Sequence, residues 1–278
     1  MSVRLDALVS AEWVAAHAAD PDVRFIHAGT DRADFERGHV QGAVYASGYE
    51  DLAEDREVRA LVPLAESFEA TLERWGVTPE DRIICYSGAK SPWPARAYWV
   101  LRYYRFPRVH LLDGALPALA AAGVATTTDE TPPPATTRRV TLPEPDRAIL
   151  ASTDDVLAAA QGGEPVILDC RTDGEWHGTA DGHLAAPRRG RIPRATHLNW
   201  EGLVGDDARL LPLEELRAAY ASSGIDGTRP VYPYCGGGIR ASVGWFILHE
   251  LLGYEHIANY DGSWSEWGAR LDLPIETD

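Results

Sequence analysis

Lysine is all but missing from this chain. Of 26 basic residues, 25 are arginine, and Lys90 is the only lysine. Acids outnumber bases 42 to 26, which gives a net charge of −16 and a pI near 4.9. Such a surface repels phosphate backbones and anionic lipid, which argues against nucleic acid and membrane surfaces as partners. Any anionic ligand has to be met by guanidinium or backbone N–H groups. Cysteine is scarce as well. Cys85, Cys170 and Cys235 form no CxxC pair and no zinc spacing, and their odd number argues against a fully paired disulfide framework. Long apolar runs are missing: no stretch reaches 18 uninterrupted apolar residues, and the first 20 residues lack a signal-type apolar core. The expectation is a soluble cytoplasmic protein with reduced thiols.

What is present is enough for two full cores. The chain has 278 residues and is 45% hydrophobic, which suits about two domains. Residues 125–145, rich in Thr and Pro with three consecutive prolines, read as an extended, semi-rigid linker. It separates a domain over 1–124 from a domain over 146–278. In both, strand-like runs alternate with helix-length stretches: 23–27, 82–86 and 108–112 in the first, 165–169, 230–234 and 256–260 in the second. That alternation predicts an α/β fold, a parallel sheet with helices on both faces, in each half. A shift of 148 residues lays Tyr86 on Tyr234, Asp113 on Asp261 and Gly114 on Gly262, and RGHVQGA at 37–43 parallels RGRIPRA at 189–195. Duplication explains both the identities and the matching element order. One local conflict is Pro233, which removes a ladder donor from a central strand and predicts a bulge or an early end there.

The sharpest signal is Cys235-Gly236-Gly237-Gly238-Ile239-Arg240 between a strand and a helix, the latter with Ser242 as a candidate cap, Val243, Ile247 and Leu251 on one face, and Gly253 at its end. Open α/β sheets bind ligands at the carboxyl ends of their strands. Three glycines permit φ > 0 and gather successive N–H groups into an anion nest, to which the following helix adds its positive end. All of these favour a thiolate at Cys235. Arg240 adds a permanent positive charge five residues on. The alternative is a buried structural thiol, which a lone cysteine often is, but a triple-glycine turn followed by arginine favours a nucleophile.

These residues carry a resemblance. The second half resembles a rhodanese domain, the sulfurtransferase family with a cysteine in a six-residue loop, through LDCRT (168–172), RIPRATHLNW (191–200), CGGGIRAS (235–242) and LGYEHIANYDGSWSEWG (252–268). The first half resembles a second, degenerate rhodanese domain through 37–46 and 95–114. The resemblance covers nearly the whole chain, as in tandem thiosulfate and 3-mercaptopyruvate sulfurtransferases. It implies that Cys235 carries a sulfane sulfur as a persulfide, with Gly236, Gly237, Gly238, Ile239, Arg240 and Ala241 as the cradle, and that the first domain, with Ser87 at the equivalent position, is non-catalytic. Asp169 and Arg171 match an Asp-x-Arg that braces the site region. Arg188 and Arg189 match arginines that bind a donor carboxylate in some mercaptopyruvate enzymes; solvated loop charges are the other reading. Cys85 reads as core and Cys170 as a packed thiol, with a resolving role for Cys170 the alternative. Trp264 and Trp267 read as core, with a place for Trp264 at the pocket border the alternative, and Trp93, Trp99, Tyr103 and Tyr104 read as cover for the interdomain cleft or the first core.

The chain departs from both tandem types two residues after the cysteine. Thiosulfate enzymes can carry a cation there and mercaptopyruvate enzymes tend to carry serine; here it is Gly237. With the serine missing, thiosulfate is the expected donor and mercaptopyruvate the alternative. A binding module without turnover is a second alternative. A cysteine phosphatase needs Cys-x5-Arg, whereas Arg240 follows Cys235 after four residues, so the shorter loop suits one sulfur atom. The expected partners are a small anionic sulfur donor and a thiophilic acceptor such as cyanide or a thiol. No metal or organic cofactor is implied, because the chemistry needs only the thiolate.

Overall fold

The computed structural model describes residues 6–130, 139–182, 184 and 186–278. The first domain is built on five parallel strands: β1 (Leu8–Val9), β2 (Val23–Gly29), β3 (Val44–Ser47), β4 (Arg82–Tyr86) and β5 (Val109–Leu112), in the spatial order β1-β5-β4-β2-β3. Alternation along β4 divides the core. Ile83 and Cys85 face a cluster with Phe68, Leu72 and Trp99; Ile84 and Tyr86 face another with Val14, Phe35 and Leu119. Strands buried on both faces in this way need helices on both faces. Ala65–Trp75 and Trp93–Tyr103 cover the first face, and Ala11–His17, Arg32–Arg37 and Leu116–Ala121 the second.

The second domain repeats this with β6 (Leu150–Ala151), β7 (Val166–Asp169), β8 (Thr196–His197), β9 (Val231–Tyr234) and β10 (Asn259–Tyr260). Its order β6-β10, β9-β7-β8 matches the first sheet, but the ladder opens between β10 and β9. Pro233 explains the opening. Val231 donates to His256 O and accepts from Ala258 N–H, so the next donor on that edge belongs to residue 233. Cys85 fills that place in the intact sheet, 148 residues earlier, while proline has no N–H to give. The expected bulge or early end is not found: Pro233 stays in register against Leu168, and the missing bond splits the sheet.

After β9, the chain turns through 235–240 into the helix Ala241–Trp245, which runs on with π-type winding through Leu251 and ends at Gly253 with φ +69°. Ser242 does not cap this helix; its hydroxyl donates back to Gly238 O at 2.8 Å. The stretch Arg139–Asp146 lies extended against the first domain: Val140 and Leu142 N–H donate to Glu73 and Glu69 carboxylates, and Asp146 N–H to Tyr103 O. The triple-proline run at 132–134 lies outside the described residues.

The two domains meet about a pseudo-two-fold. The helix Trp93–Tyr103 packs on Ala241–Trp245, and Tyr98 meets Phe246, its equivalent at the 148 offset, with ring centres 4.8 Å apart. Asp113 accepts the Leu210 N–H at 2.9 Å, and its repeat Asp261 accepts the Val62 N–H at 2.5 Å, the two donors again 148 apart. Asp261 also gains a direct ion pair. Arg96, fully buried, pairs with Asp261 and donates to Leu52 O at 3.0 Å. No helix among the described residues is long and apolar enough to cross a membrane.

Candidate active site

Cys235 follows the last residue of β9 and sits 1% exposed at the floor of a cavity of about 240 Å³ between the domains. Gly236, Gly237, Ile239 and Arg240 line it from the second domain, with Leu184, Trp200 and Glu201. Thr30, Tyr49, Pro92 and Trp93 line it from the first.

The loop conformation is fixed from outside. Ser263 occupies a left-handed conformation at φ +50°, and its hydroxyl donates to Tyr260 O while accepting the N–H groups of both Cys235 (3.0 Å) and Gly238 (2.9 Å). Trp264 and Ser265 N–H donate to the carbonyls of Cys235 and Gly236. Asn259 and Ser242 donate to Gly238 O. Gly238 has φ +75°, and a Cβ there would stand 2.3 Å from the Asp261 carboxylate, so only glycine fits. With these bonds made, the N–H groups of Gly236, Gly237, Ile239, Arg240 and Ala241 have no acceptor among the described residues. Backbone donors left free in and just after a glycine turn are what an anion nest requires.

Arg240 lines the cavity and is held by Glu175 through two hydrogen bonds of 2.6 and 2.8 Å. Glu175 is also the closing residue of the capping box on the helix Asp173–Trp176, accepting from Thr172. Burial alone would raise the Glu175 carboxyl, but the Arg240 and Thr172 bonds outweigh it and hold it at about 2. Burial likewise works against the Arg240 charge, yet Glu175 and nearby Cys235 raise its pKa above the ordinary value. A guanidinium has five N–H donors, so two serve Glu175 and three remain without an acceptor among the described residues.

The structure does not bring all the expected site residues together. Asp169 and Arg171 form a buried pair behind the loop: Arg171 also donates to Gly190 O at 2.8 Å and stacks 4.6 Å over Trp264, while Tyr234 donates to Asp169. They brace the carboxyl end of β9 through Tyr234 and do not line the cavity. Arg188 caps the end of the helix Ser263–Trp267, donating to the carbonyls of Trp267, Gly268 and Arg270 and to Leu273 O. Arg189 lies exposed in a two-bond pair with Asp181. Neither arginine lines the Cys235 cavity, because each guanidinium is spent on a local partner. Cys170 is buried, and burial first, then nearby Cys235 and Asp169, push its thiol well up. Burial alone pushes the Cys85 thiol up in the first core. Trp264 packs in the second core and donates to Arg188 O.

Glu175, Ser263, Tyr49 and Trp200 also belong to the site. Thr172-x-x-Glu175 is a capping-box signature and marks Glu175 in the sequence, though not its bond to Arg240. Nothing local marks Tyr49, which arrives from the other domain. Among the described residues, no cluster of three or more His, Cys, Asp or Glu side chains is placed to hold a metal ion.

Comparison with known proteins agrees with this architecture. The family model described as Rhodanese-like domain matches twice, over residues 10–122 and 152–270. A Haloferax volcanii protein named "Putative thiosulfate sulfurtransferase" is 34% identical over 283 residues, covering 98% of this chain and 96% of that protein. The sulfur carrier protein TtuD of Thermus thermophilus is 34% identical over 279 residues, covering 97% and 96%. The anaerobic ergothioneine biosynthesis enzyme from Chlorobium limicola, solved with trimethyl histidine, shares the fold with a TM-score of 0.86 at 24% identity, over 99% of this chain and 71% of that one.

Proposed function

The chain belongs to the rhodanese-like domain family, two copies in tandem, and from that premise we propose that it is a sulfurtransferase carrying sulfur on Cys235, with thiosulfate as donor. The observation that carries this reading is the set of five unpaired loop N–H groups around a cysteine at the end of a parallel strand. The Cys235 thiolate attacks the outer sulfur of thiosulfate; the S–S bond breaks and its electron pair leaves with sulfite. The terminal sulfur of the resulting persulfide carries the negative charge, which the loop N–H groups and the remaining Arg240 donors stabilise. A thiophile such as cyanide or a thiolate then attacks that sulfur, and the electron pair of the broken bond returns to Cys235 as thiolate.

Thiosulfate is favoured over 3-mercaptopyruvate because Arg188 and Arg189 are both engaged away from the cavity, which leaves Arg240 as the only arginine among the described residues of its lining to take a carboxylate. We assign catalysis to 146–278 and a silent role to 1–124, since the first domain has Ser87 where Cys235 stands, its hydroxyl donating to Ala89 O at 2.7 Å. A chemistry that depends on a free thiolate fits the cytoplasm. The test is a donor comparison at constant cyanide: kcat/KM with thiosulfate is expected to exceed that with mercaptopyruvate. The reverse order overturns the donor assignment, and thiocyanate from neither donor favours a module that binds sulfur without turnover.

A further inference from the structure

The loop Ser87–Pro92 of the first domain stands where the second domain keeps its nucleophile. It has no sulfur, and the space beside Ser87 is only about 40 Å³ against about 240 Å³ at Cys235. What it does carry is Lys90, the only lysine of the chain. The ammonium crosses the domain boundary and donates to the carbonyl oxygens of Glu201 at 2.8 Å and Val204 at 2.5 Å, lying 6.0 Å from the centre of the Trp200 ring. Those carbonyls belong to the 3-10 turn Trp200–Leu203 and its closing residue. Trp200 and Glu201 are themselves cavity wall, and so are Pro92 and Trp93, the second and third residues after Lys90. One short loop thus forms part of the wall and ties down another part.

Lysine suits this task better than arginine. Two carbonyls meeting near one point are served by donors spread around a single nitrogen, whereas a guanidinium lays its donors out in a plane. In a chain that places arginine at every other basic position, the exception falls at this contact.

We infer that Lys90 is a positioning residue for sulfur transfer: the loop that lacks the nucleophile serves as a clamp, holding the Trp200–Glu201 wall at a set distance from Cys235. The inference rests on Cys235 as the sulfur carrier, but Lys90 touches no reacting atom. The nest is held by Ser263, Asn259 and Ser242 within the second domain, independently of Lys90. Releasing the clamp therefore leaves sulfur loading intact and loosens the fit of donor and acceptor.

The lone lysine makes a test on the folded, full-length protein possible, because amine acetylation can reach only Lys90 and the chain's α-amine. Lys90→Met given the same treatment controls for the α-amine. In both acetylated wild type and Lys90→Met, KM for thiosulfate and for cyanide is expected to rise about 5- to 10-fold, a fraction of what charged hydrogen bonds contribute when fully buried. The kcat is expected to stay within about 2-fold. Intact mass should still show one sulfur loaded from thiosulfate, and acetylation should change nothing further in Lys90→Met. Unchanged KM values in both forms, or a fall in kcat at constant KM, would overturn the positioning role. Failure of the untreated wild type to load sulfur would instead strike the persulfide reading itself.

Discussion

Removing Arg240 is the most informative perturbation, because two explanations of its effect can be separated. Arg240→Ala takes away three donors available to an anion and also orphans Glu175, whose side chain is 5% exposed. Leaving one partner of a buried ion pair costs about 3–5 kcal/mol. Proton linkage gives a figure of the same order for Arg240 and the Thr172 bonds together: a carboxyl held at about 2 rather than 4.5 corresponds to about 3 kcal/mol. Because the folded pKa is depressed, that stability is fully present above about pH 4.5 and is lost as the pH falls toward 2. Loss of donor binding adds a separate effect: hydrogen bonds to a charged group contribute about 1.5–3 kcal/mol, or about 10- to 100-fold in kcat/KM for thiosulfate. The double variant Arg240→Ala with Glu175→Gln removes the orphan carboxylate. It is expected to recover most of the stability in denaturant unfolding while keeping the kinetic defect. Glu175→Gln alone leaves the Arg240 charge uncompensated and is expected to lower KM for thiosulfate several-fold while flattening the acid side of the stability profile. A double variant with wild-type kcat/KM would refute Arg240 as a donor ligand and reduce it to a brace for Glu175.

Three further outcomes follow from the packing. Cys170→Ser is expected to retain sulfur transfer, since that thiol is buried and its charged form disfavoured; loss of acceptor turnover with normal loading would revive a resolving role. Gly238→Ala is expected to cost more than about 2 kcal/mol, from the strain of φ +75° and from displacing the Asp261 carboxylate, read as a lower denaturation midpoint. Arg96→Ala leaves Asp261 buried and unpaired at the domain boundary and is expected to cost about 3–5 kcal/mol, with activity falling in parallel because Tyr49 and Trp93 lose their fixed place across from the loop.

Much of this architecture is legible in the residues because it depends on local rules. The strand at 82–86 is set by its own apolar run, and the 148-residue shift that pairs Asp113 with Asp261 places both at the domain boundary. The cysteine turn is readable because three glycines have few other uses between a strand and a helix. The rest depends on distance. Arg188 and Arg189 look alike in sequence, yet their fate is set by carbonyls and an aspartate that only folding brings near. Pro233 signals a conflict, but which edge of the strand loses its bond depends on where the neighbouring strands lie. Tyr49, some 186 residues before Cys235, reaches the site only through domain packing.

Where the sulfur goes decides whether Cys235 is the carrier. Intact-mass measurement of the full-length protein after thiosulfate, followed by cyanide, should show a gain of one sulfur atom that cyanide removes, and peptide mapping should place it on Cys235. The same treatment of Cys235→Ser should show no gain. Sulfur on Cys85 or Cys170, or an undiminished gain in Cys235→Ser, would show that Cys235 is not the sulfur carrier.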